Sequence, residues 1–140
     1  VKFKTSIVAE DERETGKRAI LNLGHTLGHA IESLTNYKKY SHGEAVAIGL
    51  VLALILSNQK VGFADDSIHE VLGIMKNLQL PIKDSSLSPK KLVQHMLHDK
   101  KTSDKKIKYI LLNRIGEASW GNVTSEKEIV SAIKLQHSLL

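Results

Sequence analysis

Arg18, Asn22, His25 and His29 follow one another at intervals of four, three and four residues. On a helix this spacing sets a guanidinium, an amide and two imidazoles along one face. The same stretch carries Ala19, Ile20, Leu23, Leu27, Ala30, Ile31 and Leu34 as an apolar face, so the polar stripe has no obvious solvent purpose. Further on, His42 and Glu44 stand at the mouth of a long apolar run, where an imidazole can meet the histidines of the first helix. The chain has no cysteine, which leaves His, Asp and Glu to hold any metal. Zinc accepts neutral imidazoles and carboxylates, and a catalytic site takes three protein ligands with a position left open. On spacing alone, His25 and His29 form an i, i+4 clasp of the HExxH kind, with Glu32 or Glu44 as third ligand. His69, His95, His98 and His137 are expected to be hydrogen-bonded core histidines.

The elements that must position these groups are mostly helical. Periodicity predicts a first helix over residues 12–34, with Gly24 and Gly28 inside it. Two interior glycines one turn apart each cost about 0.5–1 kcal/mol and imply close approach of another backbone or a ligand. Ser41 is placed to cap a second helix, reaching about Ser57, whose run AVAIGLVLALIL has no polar face and belongs at the centre of a bundle. Asp65 or Asp66 caps a third helix ending before Pro81, and Ser88 with Pro89 opens a fourth to His98. KIKYILLN and RIGEASWGNV predict a small β-hairpin near residues 106–122 with its turn at Gly116. Thr124 or Ser125 with Glu128 forms a capping box opening a last helix. The fold class is therefore mainly α, one multi-helix domain over residues 1–140 with one hairpin.

Composition agrees: 140 residues with 41% hydrophobic and 25% charged make an ordinary globular domain able to bury a core. The apolar stretch 45–57 falls short of the about 20 residues a bilayer requires, so no membrane is expected. The net charge of +5, with lysines clustered at 38–39, 90–91, 100–101 and 105–108, suits an anion. Phe3, Phe63, Tyr37, Tyr40, Tyr109 and Trp120 are scattered and form no stacking platform, which argues against nucleic acid. Lys38, Lys39, Lys105 and Lys106 are expected to be solvated surface charges.

LNLGHTLGHAIE followed by HGEAVAIGL resembles the signature of the 3-dehydroquinate synthase family. KTSIVAEDERETGKR and HDKKTSDKKIKYILLNRIGEA resemble its flanking segments, so the likeness covers nearly the whole chain. The resemblance implies that His25 and His42 are the metal ligands, for zinc or another divalent ion such as cobalt, while His29 faces the substrate. The spacing-based clasp is thereby replaced. The family's third ligand is a glutamate further upstream, and neither Glu10 nor Glu12 matches its motif. Lys4, Arg18, Asn22, His29 and Lys101, in preference to Lys100, are implied to bind substrate, with Lys4, Arg18 and His29 closest to the chemistry. The substrate is a small phosphorylated sugar acid, 3-deoxy-D-arabino-heptulosonate 7-phosphate, converted to 3-dehydroquinate and phosphate in the shikimate route.

The family further implies NAD, bound mainly by an N-terminal domain, for which this chain shows no strand followed by a glycine-rich phosphate loop. The first residue is Val and the opening starts mid-pattern, so the chain is expected to be the C-terminal half of a two-domain, cytoplasmic, homodimeric enzyme and inactive by itself. Two rival readings are a related cyclase of the 2-deoxy-scyllo-inosose synthase kind and a non-catalytic anion-binding or assembly module.

Overall fold

The computed structural model describes residues 24–100, 106–114 and 117–139, with side chains left aside at 98–100, 106–108 and 120–123. Its elements are α1 (His25–Leu34), α2 (His42–Val61), α3 (Asp65–Asn77), α4 (Pro89–Lys100), β1 (Lys106–Arg114), β2 (Glu117–Ser125) and α5 (Glu126–His137). The expected mainly helical domain with one hairpin is what forms.

Helix α2 is the axis of the fold because its sequence offers no polar face. Ala45, Val51, Leu52, Ala53, Leu54 and Leu56 are wholly buried, and α1, β1, α3 and α5 pack around it. At 20 residues it is long and apolar enough to cross a membrane by length and composition, more than the run 45–57 suggested, yet 61% of its most apolar window is buried inside the protein. Such burial is that of a core helix whose covering elements are the rest of this chain.

Its start is fixed by a capping box. The Ser41 hydroxyl accepts from the Glu44 N–H at 3.1 Å, and the Glu44 carboxylate accepts from the Ser41 N–H at 2.9 Å. Its end is fixed by Gly62, left-handed at φ 77°, after which Phe63 turns into the core at 0% exposure. Where α2 meets other elements, single buried polar atoms close the hydrogen-bond accounts. Ser57 Oγ donates to the Ala53 carbonyl at 2.6 Å and accepts from the Leu112 N–H of β1 at 2.8 Å. The Gln136 amide of α5 donates to the carbonyls of Ile48 and Ile82 at 2.9 and 2.8 Å. The buried Gln136 amide and the Leu112 N–H are thereby satisfied.

The hairpin pairs antiparallel from Lys106 with Ser125 to Arg114 with Glu117, with irregularities between Tyr109 and Leu111 and between Leu112 and Arg114. Among the described residues of β1, Tyr109 and Leu111, two apart on one face, are buried, as period-two patterning requires, and so is Thr124 of β2. The predicted turn at Gly116 lies outside the described residues. Ser125, not Thr124, is the cap of α5, with Glu128 completing the box. Ser88 caps α4 as expected, accepting from the Lys91 N–H at 3.4 Å.

Two helix starts differ from expectation. Helix α3 is preceded by Ala64 without a side-chain cap; Asp65 is already its first residue, and its carboxylate accepts from the Asn58 amide at 2.8 Å. Helix α1 starts at His25 within the described residues, because Gly24 is left-handed at φ 81°. Gly24 is thus a cap and not an interior residue.

Candidate functional site

The close approach implied by the glycines is a backbone contact with α2. A Cβ on Gly24 would stand 2.8 Å from the Leu50 nitrogen, one on Gly28 3.2 Å from the Val46 Cα, and one on Gly49 1.9 Å from the Gly24 carbonyl oxygen. Three glycines therefore let α1 and α2 touch main chain to main chain. That seam brings the first turns of the two helices together, and with them His25, His29 and His42.

The three rings form a triangle. Centroids of His25 and His42 are 5.3 Å apart, those of His25 and His29 5.8 Å, and those of His29 and His42 6.0 Å. His42 leads α2 and is 56% exposed at its side chain, His29 is 59% exposed, and between them lies the buried carboxylate of Glu32. Glu32 Oε1 is 2.9 Å from His42 Nδ1 and 3.8 Å from His29 Nδ1. Only the first is a hydrogen bond. Glu44, the other carboxylate considered for a metal, is committed to the capping box of α2.

The donor set suits a divalent ion of the zinc or cobalt kind in part. Two imidazoles sharing a tetrahedral ion, with metal–nitrogen distances of about 2.0–2.1 Å, would have centroids about 5 Å apart, and His25 with His42 stands at 5.3 Å. Among the described residues no group of three His, Asp or Glu is placed to hold a metal ion. The pair needs a further ligand. Lys4, Arg18, Asn22 and Lys101 lie outside the described residues, so the spatial relation of the guanidinium, amide and lysines to the triangle is not part of this geometry.

A second cluster was not foreseen. The connector 35–41 between α1 and α2 passes through Asn36 and Tyr37, both left-handed at φ 56° and 59°. It ends on Asp84, a buried carboxylate that accepts from the Tyr40 hydroxyl at 2.7 Å, pairs with Lys39 Nζ at 2.8 Å and accepts from the Ser86 N–H at 3.0 Å. Burial works to raise the Asp84 carboxyl, but the bonds from Lys39, Ser86 and Tyr40 outweigh it and hold it well below the usual carboxylate range. Burial first, then the bond to Asp84, pushes the Tyr40 phenol above its ordinary range. Lys39 is therefore a surface lysine, 48% exposed at its side chain, that also pairs with Asp84. Next to it, Lys83 Nζ donates to the carbonyls of His137 and Leu139, tying down the end of α5. Asp84 with Ser86 forms an Asx turn, a local bond of which D-S-S is the sequence counterpart but which does not reveal Tyr40 or Lys39 as partners.

Of the remaining histidines, His69 lies exposed on α3, contrary to expectation, His95 and His137 are partly buried, and the His98 side chain is outside the description. Burial lowers the His137 pKa.

The fold is shared with solved structures. The 2-deoxy-scyllo-inosose synthase structure complexed with carbaglucose-6-phosphate, NAD+ and Co2+ superposes with a TM-score of 0.79 at 24% identity, over 94% of this chain and 38% of that one. ValA, the 2-epi-5-epi-valiolone synthase of Streptomyces hygroscopicus with NAD+ and Zn2+ bound, gives 0.77 at 22% identity, over 94% and 36%. These likenesses show a shared fold. Within it, the family described as 3-dehydroquinate synthase C-terminal matches residues 1–102, and the chain belongs to that family. It is 48% identical over 139 residues to the 3-dehydroquinate synthase of Leptospira interrogans, covering 99% of this chain and 38% of that enzyme. It is 47% identical over 117 residues to that of Methylacidiphilum infernorum, covering 83% and 33%. The chain thus spans well under half the length of the curated relatives it matches.

Proposed function

We propose that this chain is the metal- and substrate-binding part of a cytoplasmic 3-dehydroquinate synthase, which converts 3-deoxy-D-arabino-heptulosonate 7-phosphate to 3-dehydroquinate and phosphate with NAD as internal redox partner. The observation that carries the reading is the meeting of His25 and His42 from two helices, 5.3 Å apart, in a chain of this family. Identity of 48% to a dehydroquinate synthase, against 24% to 2-deoxy-scyllo-inosose synthase, favours the former substrate.

In this reading His25 and His42 hold a zinc or cobalt ion, completed by a carboxylate from the upstream part of the enzyme. When bound, the ion supplies Lewis acidity at the substrate hydroxyl that is oxidised. His29, exposed beside the pair, turns its imidazole to the substrate and exchanges hydrogen bonds with it. Arg18 grips an anionic oxygen pair bidentately, Asn22 donates a hydrogen bond, and Lys4 and Lys101 act as point charges on phosphate or carboxylate. NAD binds mainly to an upstream domain, and the functional enzyme is a homodimer.

The test is zinc titration by calorimetry together with phosphate release in the complete enzyme carrying this chain. His25→Ala and His42→Ala are each expected to weaken zinc binding by more than about 100-fold, beyond the range for loss of an outer-shell partner, and to abolish phosphate release. Zinc binding indifferent to both substitutions would overturn the assignment.

A further inference from the structure

We propose that Glu32 is a positioning residue that fixes the tautomer and ring orientation of His42, an inference that rests on the reading of His42 as a metal ligand. A carboxylate at this position is costly in two ways. Glu32 is 8% exposed, next in sequence to the buried Ala30 and Ile31, and burying a charge requires good hydrogen bonding. It also lies in the last turn of α1, the negative end of the helix dipole. A residue placed against these costs needs a compensating partner, and among the described residues the one within hydrogen-bond reach of its carboxylate is the His42 ring.

The chemistry of the contact is one-directional. An ionised carboxylate only accepts, so His42 Nδ1 must carry the proton that spans the 2.9 Å. A neutral ring protonated at Nδ1 keeps its lone pair on Nε2, the nitrogen turned away from Glu32. That is the arrangement in which an outer carboxylate orients a metal-bound histidine and raises its basicity. The same oxygen stands 3.8 Å from His29 Nδ1, too far to bind it. One carboxylate oxygen thereby separates two imidazoles of the triangle: it restrains His42 and leaves His29, 59% exposed, able to turn toward a ligand.

The experiment uses the complete enzyme, stripped of metal, at a pH where imidazoles are neutral. Cobalt binding is followed by visible absorption and zinc binding by calorimetry, and the tautomer of His42 is read from two-bond proton–nitrogen spectra. Glu32→Ala is expected to weaken both metals by about 10–100-fold and to release His42 from the Nδ1–H form. Glu32→Gln, whose amide oxygen still accepts from Nδ1–H, recovers most of the affinity. Glu32→Ala affinity within twofold of the parent, while His42→Ala abolishes binding, overturns the role of Glu32 alone. Equal weakening in the Gln and Ala variants also overturns it, since charge and not the accepted bond would then matter. Should Glu32→Ala fail to fold, an Nε2–H tautomer for His42 in the parent protein overturns it directly. His42→Ala binding metal like the parent sinks the underlying ligand assignment instead.

Discussion

Glu32 and Asp84 are both carboxylates that the fold buries, at 8% exposure each, and both flank the same connector between α1 and α2. Asp84 is closed: a cation, a phenol and the Ser86 backbone and hydroxyl converge on its two oxygens. Glu32 directs an oxygen to one imidazole, His42, and stands near a second, His29, while the His25 ring lies 5.3 Å from that of His42. A carboxylate surrounded by groups that stay charged or hydroxylic at every ordinary pH builds structure. One surrounded by imidazoles, which also ligate metals and exchange protons, builds a site.

The contrast breaks first at the seam that holds both regions in register. Gly49→Ala places a methyl 1.9 Å from the Gly24 carbonyl, where no side chain can yield. It is expected to destabilise by about 3 kcal/mol or more, read as a shift in denaturant midpoint, and to disturb the Asp84 cluster and the histidine triangle together. Asp84→Asn sharpens the contrast. It should lower stability by about 2 kcal/mol through loss of charge-assisted bonds, while metal affinity stays within twofold of the parent. Equal losses in stability and affinity would mean that the two carboxylates do not have separate roles.

Acid titration separates them further. The folded-state pKa of Asp84 is depressed, so its stabilisation is fully present above the unfolded carboxylate value of about 3.9 and is lost as pH falls toward the folded value. The parent should therefore lose stability steeply below about pH 4, and Asp84→Asn should flatten that limb in urea melts taken across the range. Smallest is Ser41→Ala, which removes the cap of α2 and should cost about 1 kcal/mol. Because Ser41 adjoins His42, a much larger fall in metal affinity than in stability would place the cap among the determinants of the site.

What the sequence disclosed follows from where its signals are local. Ser41 with Glu44 and Ser125 with Glu128 are four-residue patterns that state their own hydrogen bonds, and both boxes form. The uniformly apolar run of α2 and the alternation around Tyr109 and Leu111 report burial directly. That His42 could meet the histidines of the first helix was legible from its place at the mouth of the apolar run, but pairing it with His25 came only through family resemblance, since periodicity relates His25 to His29. The Asp84 cluster was hidden for the same reason: Tyr40 and Asp84 are joined by tertiary packing, and nothing in a lysine-rich connector distinguishes Lys39, which pairs with Asp84, from Lys38 beside it. Gly24 was read as a helix interior because apolar spacing continues through it, and spacing does not reveal a left-handed φ.

Backbone packed on backbone along Gly24, Gly28 and Gly49 has a consequence for tuning by mutation. Side-chain interfaces drift by fractions of an ångström as leucines and valines are exchanged, because rotamers absorb each change. A main-chain interface has no rotamers, so the interval between the first turns of α1 and α2 works as a gauge set by bond lengths. Core repainting elsewhere in the domain can then alter melting temperature freely while the distance between the His25 and His42 rings is held constant.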